Sequence, residues 1–212
     1  HIANKLVVVA RTAGAIDDEA GLSVFLVDAA AEGVSINRSW MVDSRNSAML
    51  SLNDVKVGAD ALLGAEGDAY SSLTRVLDIG RIGVAAEMLG SMQQAFEITL
   101  DYLKQREQFG VLIGSFQGLQ HRAAEMYSEI ELCKSAVRAA LAALDDADKN
   151  DADIAEFASI AKAKLSEVAT LVSNEAVQMH GGIGMTDEYD IGFYMKRARV
   201  AAAFLGDALF HR

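Results

Sequence analysis

The stretch "SSLTRVLDIGRIGVAAEMLGSMQQAFEITLDYL", residues 71–103, sets Leu73, Leu77, Ile82, Ala85, Leu89, Met92, Phe96, Leu100 and Leu103 at intervals of three to five residues. That spacing is the apolar stripe of one long amphipathic helix. Two further stripes follow: Met126, Ile130, Cys133, Val137, Leu141 and Leu144, then Ile154, Phe157, Ala161, Leu165, Val168, Val172, Ala176 and Met179. The polar run "DDADKNDAD", residues 145–153, separates them and offers Asp151 or Asp153 as a cap for the third helix. At 1.5 Å per residue each helix is roughly 40 to 50 Å long. With a shorter helix from about residue 187 to 204, the pattern predicts an antiparallel four-helix bundle. The sequence contains no proline, so nothing imposes the cost of about 3 kcal/mol or more that an internal proline brings to a helix.

Upstream the period changes. Between residues 5 and 57 the apolar runs are short and β-branched: "KLVVVAR", "LSVFLVD", "VSINRSWMV" and "SAMLSLNDVKV". Turn-rich segments such as "TAGAIDDEAG" and "DSRN" divide them, the signature of antiparallel strands joined by loops. The expected fold class is therefore α+β, mainly α: a partial antiparallel β-domain over residues 1–64 followed by the bundle over 65–212. Four runs are too few to close a barrel and leave an edge open. The chain also opens without Met in what reads as a strand, and it is expected to be part of something longer.

Composition narrows the function classes. A chain of 212 residues, 51% hydrophobic, can bury a sizeable core. Its net charge of −11 and pI near 4.8 disfavour nucleic acid, whose non-specific affinity comes from Lys and Arg neutralising phosphates. No apolar run approaches the roughly 20 residues that span a bilayer, and the first residues lack the pattern of a signal peptide. The one cysteine, Cys133, excludes a disulfide framework and fits a buried thiol in a reducing compartment, with the cytoplasm as the default location. His121 and His180 stand about 60 residues apart without metal-ligand spacing, so no metal site is expected.

Two local motifs remain. In "AVQMHGGIGMTDEY", residues 176–189, a helix end closed by a left-handed glycine accounts for one of the glycines 181, 182 and 184. Three glycines in four positions exceed a cap, and bare glycine amides let a ligand approach the backbone. In "REQFG", residues 106–110, Arg106 and Phe109 stand at a helix junction, with Ser115 of "GSFQGLQ" as a plausible cap for the next helix. This pair reads either as a rim contact or as a phosphate holder, since a guanidinium presents paired donors to phosphate oxygens and the ring can stack on a flat heterocycle.

Taken in order, "REQFG", "FQGLQHRAAEM", "AKAKLSEVA" and "EAVQMHGGIGMTDEYDIGFYMKRAR" closely resemble the C-terminal half of an acyl-CoA dehydrogenase. The segment "SLNDVKVGADALLGAEGDAYSSLTRVLDIGRIGVAAEMLG", residues 51–90, is similar to that family's passage from middle β-domain to helical domain. The resemblance spans essentially the whole chain and implies a flavoprotein, dimeric or tetrameric with itself or a homologous subunit, holding FAD between one subunit's β-domain and its neighbour's helices. It implies Arg106 at the FAD pyrophosphate, Phe109 beside it, Gln117 near the adenosine half, and Gln178 and Gly182 at the ADP moiety, with His180 a bystander. Asp78 and Arg81 match positions near the bound acyl-CoA. Lys196, Arg197 and Arg199 fall in the family's last helix, where Arg197 replaces the usual acid.

The implied reaction is α,β-dehydrogenation of an acyl-CoA thioester: a carboxylate removes the α-proton, the β-hydrogen leaves as hydride to the flavin, and an electron-transfer flavoprotein takes the electrons. In most members the base is a glutamate in a "YEGT"-like stretch, and in others it stands one residue before the arginine matched by Arg81. Here the first position is Leu205, in "FLGD", and the second is Gly80. Neither accepts a proton. Asp207 is the nearest carboxylate, two residues from the usual place and a weak candidate base. The resemblance thus implies a subunit that lacks its own base and works with a catalytic partner; the alternative is a catalytically silent helical bundle that serves oligomerisation.

Overall fold

Strand β1 (Lys5–Arg11) pairs antiparallel along its whole length with β2 (Leu22–Asp28). Alternation buries Leu6 and Val27 while Val7 and Val9 face outward, as a one-sided sheet requires. The Arg11 guanidinium orders the connecting loop, donating to the carbonyls of Ala13, Ile16, Asp18 and Ala20. A two-residue strand, β5 (Leu62–Leu63), extends β2 on its other edge. Strands β3 (Val34–Trp40) and β4 (Asn46–Leu52) form a separate antiparallel hairpin. The four runs read from the sequence are these four longer strands.

The computed structural model describes residues 1–212, and its packing divides into two units, His1–Val76 and Leu77–Arg212, with the border inside helix α1 (Tyr70–Gln105). In the second unit α1 is followed by α2 (Gln117–Asp145), α3 (Asp151–His180) and α4 (Ile191–Ala203). Four helices joined by short connections form the expected antiparallel bundle.

Helix α3 is its centre. Ala158, Ala161 and Ala176 have no exposed surface, and Ile154, Leu165, Val168 and Val172 fill the spaces between them. Alanines let α2 and α4 lie close to its axis on either side, so α3 is buried over more of its circumference than an ordinary surface helix. Ion pairs tie its neighbours down at the rim: Arg122–Glu175 and Lys164–Glu129 join α2 to α3, each at 2.5 Å. Arg197 joins α4 to α1 through a two-pronged pair with Glu87 at 2.7 and 2.8 Å.

The caps differ from expectation. Ser115 does not cap α2; its hydroxyl donates to the Leu112 carbonyl, and Phe116 stands at the cap with no side-chain bond. At α3 the cap is Asn150. Its side chain accepts from the Asp153 N–H and Asp153 accepts from the Asn150 N–H, so Asp153 serves as the third residue of a capping box. Helix α4 starts at Ile191, because residues 181–185 form a 3₁₀ turn and residues 186–190 a loop.

One polar group lies inside the apolar stripe of α3. The Lys162 ammonium has no exposure and donates to the Ser166 hydroxyl at 3.0 Å and to the Ala202 and Gly206 carbonyls at 2.9 and 2.6 Å. Three donors meet three acceptors. One of those acceptors, Ala202, belongs to the C-terminal end of α4, where helical carbonyls lack N–H partners and the macrodipole is negative, and the other, Gly206, lies in the bend just beyond it. Burial pushes the Lys162 pKa down from 10.5 to about 8, opposed by Asp207 and reinforced by Arg81.

Two measurements test this account. Removing the cap with Asn150→Ala will lower stability by about 1 kcal/mol in urea unfolding. For Lys162 the folded pKa lies below the unfolded one, so between pH 8 and 10.5 the unfolded chain binds the extra proton and stability rises with pH. Lys162→Met will lack that rise when unfolding is followed across the same window.

Candidate functional site

The residues singled out in the sequence fall into two groups. The first surrounds the end of the bundle where α1 and α3 finish and α2 begins. After α1 a small hairpin, β6 (Glu107–Gln108) and β7 (Val111–Leu112), turns through Phe109 and Gly110 at φ 55° and 77°. Two successive positive φ values mark the tight hairpin whose twist matches its strands, and Phe109 occupies a conformation that a bulky residue seldom adopts. Its ring is 93% exposed and meets only the edge of Phe116, 6.2 Å away.

Arg106 is fixed by its backbone, its N–H donating to the Tyr102 carbonyl at 2.9 Å and its carbonyl accepting from Ile113 at 2.8 Å. Its guanidinium is exposed and makes no ion pair. Gln117 is the first residue of α2 and Gln178 lies in the last turn of α3, both exposed. The cap of α3 is Gly181 at φ 64°, whose N–H returns to the Gln178 carbonyl. Over the next residue, Gly182, a side chain would meet nothing within 4 Å, so its backbone can be approached. Tyr102 of α1 stacks on His180 of α3 with ring centroids 4.4 Å apart, which brings the Arg106 hairpin and the glycine turn to the same end. An unpaired guanidinium, an exposed ring, two amides and an open glycine backbone are a donor set suited to an extended anionic dinucleotide such as FAD.

The second group lies at the other end of α1, roughly 40 Å from Arg106 by helical rise. Asp78 is buried and paired with Arg81 at 2.6 Å. Arg81 also donates from Nε to the Leu205 carbonyl at 3.2 Å, and His211 Nε2 meets the same oxygen at 3.0 Å while its Nδ1 meets the Ser159 hydroxyl at 3.2 Å. Burial lowers the His211 pKa, with the Leu205 carbonyl acting in the opposite sense. These contacts hold a corner in which Leu205 and Gly206 adopt φ 61° and 100°. The Leu205 side chain lies on Gly80: a Cβ added there would come within 2.9 Å of Leu205 Cδ1. The two positions at which the resemblance places a base are thus adjacent, with only apolar atoms between them. The Asp207 carboxylate accepts from the Phe210 N–H at 2.9 Å and caps the turn after the corner.

Lys162, Ser159 and His211 were not singled out from the sequence, yet all three bear on this corner. Lys162 left a readable trace: a lysine four residues after Ala158 and three before Leu165, inside the buried stripe. Nothing in the sequence marked its two backbone acceptors, carbonyls some 40 residues away. No three His, Cys, Asp or Glu side chains converge as a metal-binding group, and no helix is long and apolar enough to cross a membrane.

Residues 70–212 match the family described as acyl-CoA dehydrogenase, C-terminal domain. The short/branched chain specific acyl-CoA dehydrogenase of Rattus norvegicus mitochondria is 34% identical over 189 residues, which cover 88% of this chain and 43% of that protein. CarC, a subunit of the caffeyl-CoA reductase–Etf complex of Acetobacterium woodii, is 33% identical over 190 residues, 88% of this chain and 49% of its own. The ChsE4–ChsE5 complex of Mycobacterium tuberculosis aligns with a TM-score of 0.86 and 25% identity, covering 99% of this chain and 54% of that one. The chain spans about half the length of the proteins it matches. With a family match running from Tyr70 to Arg212 and the same bundle in a solved relative, the chain belongs to the acyl-CoA dehydrogenase family of FAD-dependent oxidoreductases.

Proposed function

We propose that this protein is an acyl-CoA dehydrogenase-type subunit that helps to hold FAD and acyl-CoA but carries no base of its own, and that it works with a catalytic partner subunit. The observation that carries this reading is the contact of Leu205 with Gly80: the corner keeps its bends and its backbone grips, while the side chain in it is a hydrocarbon. Asp207 is a poor substitute, since its carboxylate is already engaged with the Phe210 N–H.

In this reading Arg106 binds the diphosphate of FAD with Phe109 beside it, Gln117 lies near the adenosine half, and Gln178 with the Gly182 backbone takes the ADP moiety. The FAD gripped there is the neighbouring subunit's, since Arg106 and the Asp78–Arg81 corner stand roughly 40 Å apart along α1; when bound, FAD supplies the hydride acceptor for α,β-dehydrogenation of the thioester. Asp78 and Arg81 shape the acyl-CoA end; their ion pair and the bond from Arg81 to the Leu205 carbonyl fix the wall against which the α-carbon would rest. A base would have to stand at that wall, and proton removal by a positioned group is worth about a hundredfold to ten-thousandfold in rate. The names of two relatives support the assembly: one is a subunit of an Etf complex and the other a ChsE4–ChsE5 complex. We therefore expect electron-transfer flavoprotein as the redox partner and a homologous subunit as the oligomeric one. The buried, unpaired Cys133 thiol suits a reducing, cytoplasmic setting.

The test is anaerobic reduction of the flavin in the full-length protein by butyryl-CoA. The wild-type protein alone will not bleach the flavin band, co-expression with a base-bearing homologue will restore bleaching, and Leu205→Glu will raise the rate of the lone protein at least about a hundredfold. Bleaching by the wild type that disappears in Asp207→Ala would overturn the reading in favour of Asp207 as base. A full-length protein that takes up no flavin, alone or with its partner, would make it a silent oligomerisation bundle.

A further inference from the structure

His180 ends α3 with 2% of its surface exposed. Its Nδ1 meets the Ala176 carbonyl at 2.7 Å, which fixes the proton on that nitrogen. Its Nε2, equally buried, has no partner, and burial lowers the ring's pKa while the Ala176 carbonyl acts in the opposite sense. A buried nitrogen with no partner costs stability, so packing alone gives no reason for a histidine here.

The surroundings supply one. The imidazole lies flat on Tyr102, with an interplanar angle of 23°, and Tyr189 closes the group at 5.3 Å from His180 and edge-on to Tyr102 at 5.6 Å. Tyr102 is the residue whose carbonyl holds the Arg106 N–H. On the other side, the 3₁₀ turn Gly181–Met185 is seated on His180: a side chain at Gly184 would come within 2.9 Å of the His180 Cβ. The stack therefore joins the element that presents Arg106 to the element that presents Gly182, and the Nδ1–H bond to Ala176 sets the plane in which the ring meets Tyr102.

We infer that His180 is a positioning residue, which fixes the spacing between the Arg106 hairpin and the Gly182 turn and so governs how tightly this corner holds the diphosphate and ADP portion of a dinucleotide. The inference rests on the assignment of that corner to FAD in the proposed function. It predicts that affinity and stability move apart. In the full-length protein, with its partner subunit present, His180→Phe will weaken FAD binding about tenfold, the worth of about one hydrogen bond, and by more than any shift in its thermal midpoint accounts for. Tyr102→Phe, which preserves the stacked ring, will bind FAD as the wild type does, whereas Tyr102→Leu will lose about as much as His180→Phe, and combining it with His180→Phe will cost little more. Equal FAD dissociation constants for wild type and His180→Phe would overturn this role and leave the FAD assignment standing. Failure of the wild-type assembly to bind FAD would remove both. Losses of affinity that only follow a lowered midpoint would reduce His180 to a packing residue.

Discussion

The buried ammonium of Lys162 is the interaction on which the corner of this structure depends. Three helix-end problems converge on it: the last carbonyls of α4 need donors, the chain must reverse sharply through Leu205 and Gly206, and α3 must present a donor without opening its apolar stripe. A lysine answers all three because its stem is hydrocarbon and only its tip is polar. The same charge in an unpartnered site would be strongly destabilising; here every N–H has an acceptor. Ser166, one turn further along α3, completes the set and is itself anchored to the Lys162 carbonyl at 2.7 Å.

Around that grip the bundle is built from small residues and rim charges. The alanines of α3 decide how near its neighbours come, and Arg197 with Glu87 decides how α4 lies along α1. In the resemblance to the family, an acid is usual where Arg197 stands. The arginine reads as a break in pattern until Glu87 is seen opposite it. Where the resemblance leads one to expect an acid there is a cation, and Glu87 meets it across the helices.

Much of this was legible in the sequence, and the illegible parts share a cause. The change of apolar period near residue 64 marks where strands give way to helices, and the stripes starting at Leu73, Met126 and Ile154 lie on the helices found. Local chemistry was harder. Ser115 has the chemistry of a cap, but its hydroxyl is taken by Leu112, three residues back; the acids at 151 and 153 have that chemistry too, yet Asn150 takes the cap because Asp153 can reciprocate. His180 next to three glycines read as a bystander because its stacking partner, Tyr102, lies 78 positions earlier and no spacing rule connects them. Motif chemistry such as "REQFG" and "QMHGG" is visible because the groups stand together in the chain. What Lys162 and His211 hold is harder to read, because most of their acceptors are backbone carbonyls, which every residue has.

The left-handed bend at Leu205 has a consequence for how this chain relates to its relatives over time. Its shape is held from outside: Lys162 grips the Gly206 carbonyl, and Arg81 and His211 grip the carbonyl of Leu205. None of these contacts touches the side chain at 205. The backbone there is therefore held independently of which side chain stands at 205, and a single substitution at that position can add a proton acceptor while these grips stay in place. Duplicated copies of such a gene would be one substitution away from dividing labour, one copy keeping the chemistry and the other keeping only the architecture that the first requires.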